Sequence, residues 1–209
     1  MSANKTASRP TVVFDLGGVL VSVDFMRACR RLEAAGGAPA ADLRAAIVDS
    51  ADKAGFDTGR LSPREFAARC CAAAGVQLPF AEFADIWCDI FSEKREVTGM
   101  LDEISRQADL VLLSNTDPLH IGHIRSRFGF LGTFRRLVLS YEVGHAKPAR
   151  QIFECALGRC APGTRMIYFD DVAEYVAAAR ACGLRAEQFV DAARFARDLA
   201  RFGLEPVAK

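Results

Sequence analysis

The chain has 209 residues, 51% hydrophobic and 25% charged, which suits one globular domain, or one domain carrying a smaller insert, with a sizeable core. Lys and Arg total 27 against 26 for Asp and Glu, a formal net charge of +1. Nothing in that balance favours nucleic acid or an anionic membrane as a partner, so an anionic ligand has to be captured by local chemistry. The seven cysteines are odd in number and include no C-x-x-C pair, which argues against a zinc site or a disulfide framework. Free thiols suggest a reducing compartment, and the cytoplasm is the expected location.

Residues 1–10 are polar, lack the apolar h-region of a signal peptide, and are expected to be disordered. No apolar run is long enough to span a bilayer. Residues 11–14 (TVVF) form a β-branched run that breaks off at Asp15-Leu16-Gly17-Gly18, as a buried strand entering a loop does. From about Asp24 to Phe91 the pattern is helical and shows no convincing strand. Helices are expected to open near Asp42 and near Ser62, both suited to an N-cap, and a third after Pro79. The third carries Phe80, Phe83, Ile86 and Trp87 at helical spacing, a pattern read as the core of the insert rather than a substrate wall.

Strand-like runs then alternate with helical ones: residues 110–113, 137–139, 166–169 and 187–190, with helices over 150–157 and 172–181. Continuous apolar strands separated by helices mean a parallel sheet covered on both faces. The expected architecture is α/β, Rossmann-like, with an inserted all-helical domain.

In such sheets ligands bind beyond the carboxyl ends of the strands. The first strand ends at Asp15, a later one at Ser114-Asn115-Thr116, another at Asp170-Asp171, and Lys147 lies in the loop before Pro148. Three carboxylates at one rim repel one another unless a cation neutralises them. Oxygen donors without His or Cys suit Mg²⁺. A carboxylate can also act as a nucleophile, and Ser114 and Lys147 are the types that hold phosphoryl oxygens. Each has a plainer reading too: Asp170-Asp171 could cap the following helix, and a lone lysine is most often solvated. His120 and His123 are read as surface histidines for want of a third ligand, and Arg125, Arg127, Arg135 and Arg136 as a solvated face.

Four segments, Val13 to Leu20, Leu112 to Thr116, Gly144 to Pro148 and Tyr168 to Asp171, resemble in order and spacing the haloacid dehalogenase superfamily, in its branch of phosphatases with a helical cap after the first strand. The likeness extends to bacterial phosphatases acting on sugar phosphates such as glucose 1-phosphate. The resemblance implies a catalytic core over 11–20 and 95–209 and a cap over 21–94. It implies Asp15 as nucleophile and Mg²⁺ ligand, the backbone carbonyl of Gly17 as a second ligand, and Asp171 and Asp170 as further metal residues. Ser114, Asn115 and Lys147 would hold the phosphate. A small phosphorylated metabolite is the expected partner, and the chain is expected to be a monomer or homodimer.

Two positions depart from that pattern. Gly17 stands where these phosphatases have a second aspartate, a general acid/base worth about 10²–10⁴-fold, and Tyr175 stands where Asn or Asp is usual. Asp24 and His145 are candidate substitutes. The sequence leaves open a preference for good leaving groups such as an anomeric phosphate, a 2-haloacid dehalogenase, a phosphotransferase, and a binding protein with weakened turnover.

Overall fold

The computed structural model describes residues 9–160 and 163–205. Most of the expected disorder at the N-terminus falls on residues 1–8, outside the described residues. Arg9 and Pro10 are tied to the core: the Arg9 guanidinium donates to the Ala108 carbonyl at 3.2 Å, and the Pro10 carbonyl accepts from Asp109 N–H at 2.9 Å.

Strand β1 (Thr11–Phe14) is followed by β2 (Val21–Val23), then by helices α1 (Phe25–Ala34), α2 (Ala40–Leu43), α3 (Ala51–Asp57), α4 (Pro63–Ala74) and α5 (Phe80–Cys88). A π-helical turn over Arg44–Val48 continues α2. Strand β3 (Phe91–Glu93) returns the chain to α6 (Arg95–Thr98), α7 (Leu101–Gln107) and β4 (Asp109–Ser114). After these come α8 (Pro118–Arg127), β5 (Arg136–Leu139), α9 (Ser140–Val143) and α10 (Arg150–Gly158). The chain ends with β6 (Met166–Asp170), α11 (Ala173–Ala181), β7 (Arg185–Gln188) and α12 (Ala192–Phe202).

Five strands form one parallel sheet in the order β5-β4-β1-β6-β7. Burial on both sides explains the continuous apolar runs: Val12 and Phe14 face a cluster with Phe134, Phe169 and Phe195, whereas Val13 faces the opposite cluster with Val111, Leu113 and Tyr168. Because β4 and β5 lie on one side of β1 and β6 and β7 on the other, the strand order reverses at β1. The crevice for a ligand is therefore at the carboxyl end of β1.

The helices between β2 and β3 bury a separate apolar cluster in which Phe56, Phe66, Phe83 and Trp87 pack ring against ring. Ser62 caps α4 through a reciprocal capping box with Glu65. Near Asp42 the expectation needs correcting. Helix α2 starts at Ala40 behind Pro39, and Asp42 lies within its first turn, where its charge meets the positive end of the helix dipole.

Two strand assignments also change. Residues Val21–Val23 and Phe91–Glu93 pair antiparallel, so a short ribbon brackets the helical insert. Three-residue strands whose pairing spans some seventy positions leave no periodic signal along the chain. The last strand occupies Arg185–Gln188 rather than 187–190, because pairing with β6 sets Asp170 opposite Gln188 and leaves Val190 60% exposed. Arg125, Arg127, Arg135 and Arg136 are all exposed, on α8 and at the start of β5. No helix among the described residues is long and apolar enough to cross a membrane.

Candidate active site

Asp15, Ser114 and Asp170 stand at or just past the carboxyl ends of the adjacent strands β1, β4 and β6. All three are buried, and so is Lys147, which arrives from the loop after α9. The Lys147 Nζ lies 2.8 Å from Asp15 Oδ1, 2.7 Å from Asp170 Oδ2 and 3.1 Å from the Tyr168 hydroxyl. Three residues from two strands, Asp15 after β1 and Tyr168 and Asp170 on β6, thus share one ammonium group, and the Tyr168 hydroxyl closes the ring by donating to Asp170 Oδ2.

Electrostatics follow from that geometry. Burial pushes the Asp15 carboxyl up, to about 7, against the pull of Lys147, while the Asp170 charge adds to the rise. Burial by itself disfavours the Lys147 ammonium, but Asp15 and Asp170 outweigh it and hold its pKa above the ordinary value. Burial, then the Asp15 and Asp170 charges, drives the Tyr168 phenol well above its usual range, so it remains a hydrogen-bond donor.

Asp171 sits at the exposed rim, where partial desolvation and then the Asp170 charge raise its carboxyl, opposed by Lys147 and Lys94. Asp15, Asp170 and Asp171 each offer one ligand oxygen, all within 4.8 Å of one another. Donors of a Mg²⁺ ion at its usual bond length of about 2.1 Å lie up to about 4.2 Å apart, so three hard oxygens at this spacing fit such an ion with small adjustments. The backbone of Gly18 passes so close that a Cβ there would lie 2.0 Å from Asp171 Oδ2, and its φ of +72° is itself a glycine conformation. Lys94 donates to the Gly18 carbonyl from the end of β3, tying the ribbon to this turn. At Gly17 a Cβ would meet Val23 Cγ2 at 3.3 Å, so a larger residue there would need Val23 to yield.

Asn115 holds the lysine loop with its side chain, accepting from Lys147 N–H at 2.7 Å and donating to the Lys147 carbonyl at 2.9 Å. The Ser114 hydroxyl donates to the Asn115 carbonyl at 3.4 Å. Ser140, at the start of α9, fastens the loop after β4 that carries Asn115, accepting from Thr116 N–H at 2.9 Å and donating to the Thr116 carbonyl at 3.0 Å. The Lys147 Nζ lies 5.1 Å from the centre of the Tyr175 ring, which thus shields the ammonium by a cation–π contact. The plainer capping reading is not met: Val172 is the N-cap of α11, which has no side-chain cap, and Asp170 only accepts from Val172 N–H at 2.8 Å ahead of it.

Of the proposed substitute acids, neither is joined to this network. Asp24 caps α1 by accepting from Met26 N–H at 3.0 Å and pairs with Arg30 at 3.2 Å, and His145 is exposed. Sequence reasoning passed over Tyr168, Lys94 and Asp117. Tyr168 had a signal, since period-two alternation in β6 sets it on the same face as Asp170.

The surface reading of His120 is overturned. It is 3% exposed, stacked on Trp87 with ring centres 5.2 Å apart, and its Nδ1 lies 2.8 Å from Asp117 Oδ2. Its Nε2 lies 3.2 Å from the Trp87 carbonyl, and Trp87 Nε1 donates to Asp117 at 3.3 Å. Helix α8 is thereby fastened to α5 of the insert by a buried polar knot. His123 is half-buried beside Phe91, their ring centres 6.3 Å apart.

Known proteins share the family and the fold of this chain. Residues 10–183 match the family model of haloacid dehalogenase-like hydrolases. A D-ribitol-5-phosphate phosphatase from Bacteroides thetaiotaomicron is 32% identical over 155 residues, covering 68% of this chain and 73% of that protein. A predicted HAD-like hydrolase from Porphyromonas gingivalis superposes with a TM-score of 0.78 at 24% identity, over 94% of this chain and 98% of the other. A HAD family enzyme from Bacteroides thetaiotaomicron, solved with magnesium and inorganic phosphate, gives a TM-score of 0.70 at 19% identity, over 87% and 94% of the two chains. The match over most of its length shows that this chain belongs to the haloacid dehalogenase-like hydrolases.

Proposed function

We propose that the chain hydrolyses a small phosphate monoester, a phosphorylated sugar or sugar alcohol, by way of an aspartyl-phosphate on Asp15. The observation that carries this reading is the convergence of Asp15, Asp170 and Asp171 around the buried Lys147 at the reversal point of the sheet. The D-ribitol-5-phosphate phosphatase among the relatives supports the substrate class.

In the first step the Asp15 carboxylate attacks phosphorus and the bond to the leaving oxygen breaks, with that oxygen departing as the alcohol once it gains a proton. Water then attacks the same phosphorus, the bond to Asp15 breaks, and inorganic phosphate leaves. Lys147 and the Ser114 hydroxyl hold the phosphoryl oxygens as charge builds on them, with the Asn115 main chain beside them. Asp15, Asp170, Asp171 and the Gly17 carbonyl would hold Mg²⁺, which when bound supplies charge neutralisation at those oxygens. In this reading residues 21–94 act as a cap over a core made of 11–20 and 95–209, excluding water and meeting the leaving group.

Position 17 bears on the rate. With glycine there and with Asp24 and His145 outside the network, the leaving group draws its proton from solvent or needs little help, which favours good leaving groups such as an anomeric phosphate. The same glycine favours a second reading, a fold that binds phosphate and turns it over weakly. The adjacent Asp170 and Asp171 carboxylates count against a 2-haloacid dehalogenase, whose substrate is itself a carboxylate.

Phosphate release from p-nitrophenyl phosphate, ribitol 5-phosphate and glucose 1-phosphate, with Mg²⁺ and with EDTA, tests the proposal in wild type and Asp15→Asn. Metal-dependent turnover that disappears in the variant is the expected result. Silence across the panel in protein that binds Mg²⁺ would favour the second reading.

A further inference from the structure

At the opposite edge of the sheet from Asp15 lies a cavity of about 460 Å³, between the first residues of β1, β4 and β5 and the end of α10. Thr11 opens the strand that ends beside Asp15. Four residues at about 3.3 Å each separate the two ends, roughly 13 Å.

The lining is basic. Arg135, Arg136 and Arg159 contribute three guanidinium groups against a single carboxylate, Asp109. That carboxylate is already matched, by Arg135 at 3.3 Å and by Arg9 at 3.7 Å. Arg159 is anchored through Nη1, which donates to the Leu137 carbonyl. Arg136 has neither a carboxylate partner nor a hydrogen bond among the described residues. The Thr164 hydroxyl, also in the lining, is buried with no hydrogen-bond partner, the only such side-chain atom among the described residues. Folded proteins rarely leave a buried hydroxyl unpaired, and the exceptions call for an ordered water, a ligand or a stored strain.

One uncommitted guanidinium, two more with donors beyond those already engaged, and a hydroxyl around one cavity select a compact oxyanion. Arginine forks match phosphate oxygens in pairs, and a hydroxyl adds a neutral donor. The positive excess argues equally against a metal ion. We propose that this cavity is a second anion site, separate from the Asp15 rim, which takes inorganic phosphate or the phosphate group of a small metabolite. An occupant would rest on the starts of β1 and β4, the two strands whose far ends carry Asp15 and Ser114.

The test is calorimetric titration of inorganic phosphate into the full chain at low salt with EDTA present, for wild type, Arg136→Glu, Thr164→Val and Ser114→Ala. The expected result is a binding event that Arg136→Glu weakens at least about tenfold, that Thr164→Val weakens several-fold, and that Ser114→Ala leaves alone. Thr164→Val is close to isosteric, so it keeps the test decisive even if the charge reversal disturbs folding. Absence of binding to wild type, or binding that survives both edge variants or falls only with Ser114→Ala, overturns the proposal. Because the readout is binding rather than turnover, its outcome is independent of whether the chain hydrolyses phosphate esters.

Discussion

Asn115 and Lys147 grip each other through two hydrogen bonds, one to the lysine N–H at 2.7 Å and one from the asparagine amide to the lysine carbonyl at 2.9 Å. The pair aims an ammonium group that itself spans Asp15 and Asp170. Asn115→Ala releases the loop without removing the charge, and a misplacement of about 1 Å at such a site can cost about 10²-fold. A fall in kcat of ten- to hundredfold is expected. In a Lys147→Met background the same substitution should cost little more, because the two act as one unit. Full additivity of the two losses would mean that Asn115 acts on its own account.

Gly18→Ala should uncouple stability from activity. A methyl at that position would lie 2.0 Å from Asp171 Oδ2, and the φ of +72° disfavours any side chain. The backbone strain is worth about 1–2 kcal/mol. The Asp171 side chain can swing aside, so the fold survives while its carboxylate leaves the cluster with Asp15 and Asp170. Denaturant melts should shift modestly, and Mg²⁺-dependent turnover should fall at least about hundredfold.

Metal binding should be visible without any catalysis. If Asp15, Asp170 and Asp171 hold Mg²⁺, a saturating excess of about 100 times Kd adds about 2.7 kcal/mol to unfolding. Thermal melts with and without Mg²⁺ should therefore differ in wild type and coincide in Asp171→Asn. An equal Mg²⁺ shift in both proteins would remove Asp171 from the ligand set.

His120→Ala tests the knot between α8 and α5. It strips the fully buried Asp117 of its imidazole partner, and leaving a buried charged acceptor short of a hydrogen bond costs about 1–3 kcal/mol. Chemical denaturation should report that loss. His120→Asn, which keeps a donor near Asp117, should recover part of it.

Asp117 also gives the knot a pH signature. Burial works to raise its carboxyl, but the His120 charge and hydrogen bonds, together with Lys53, hold it below its ordinary value of 3.8. A carboxyl depressed in the folded state adds stability above its unfolded pKa and loses it as pH falls through the folded one. The stability gap between wild type and Asp117→Asn should be full at neutral pH and shrink below about pH 3.8. A gap that widens in acid would reverse the sign assigned here.

The α/β core was readable because a parallel sheet buries both faces of its strands, and the runs at 110–113, 137–139 and 166–169 register that burial residue by residue. The rim residues were readable because Asp15, Ser114 and Asp170 each interrupt such a run at its carboxyl end. By contrast, the ribbon of Val21–Val23 with Phe91–Glu93 and the place of His120 depend on contacts between distant segments. Nothing local distinguishes a histidine in water from one stacked on Trp87. Tyr168 lies between, since its face could be read from alternation but its hydrogen bond to Asp170 could not.

The strands of the parallel sheet, the chemistry at their ends and the absence of an acid at position 17 are all written in consecutive residues. How the charges are shared depends on the fold: one buried lysine lies between two aspartates, the Asn115 side chain grips that lysine's backbone, and Arg136 and the Thr164 hydroxyl stand unpaired among the described residues at one cavity. Those depend on distances between segments far apart in the chain, and an electrostatic interaction is set by separation and burial rather than by residue type.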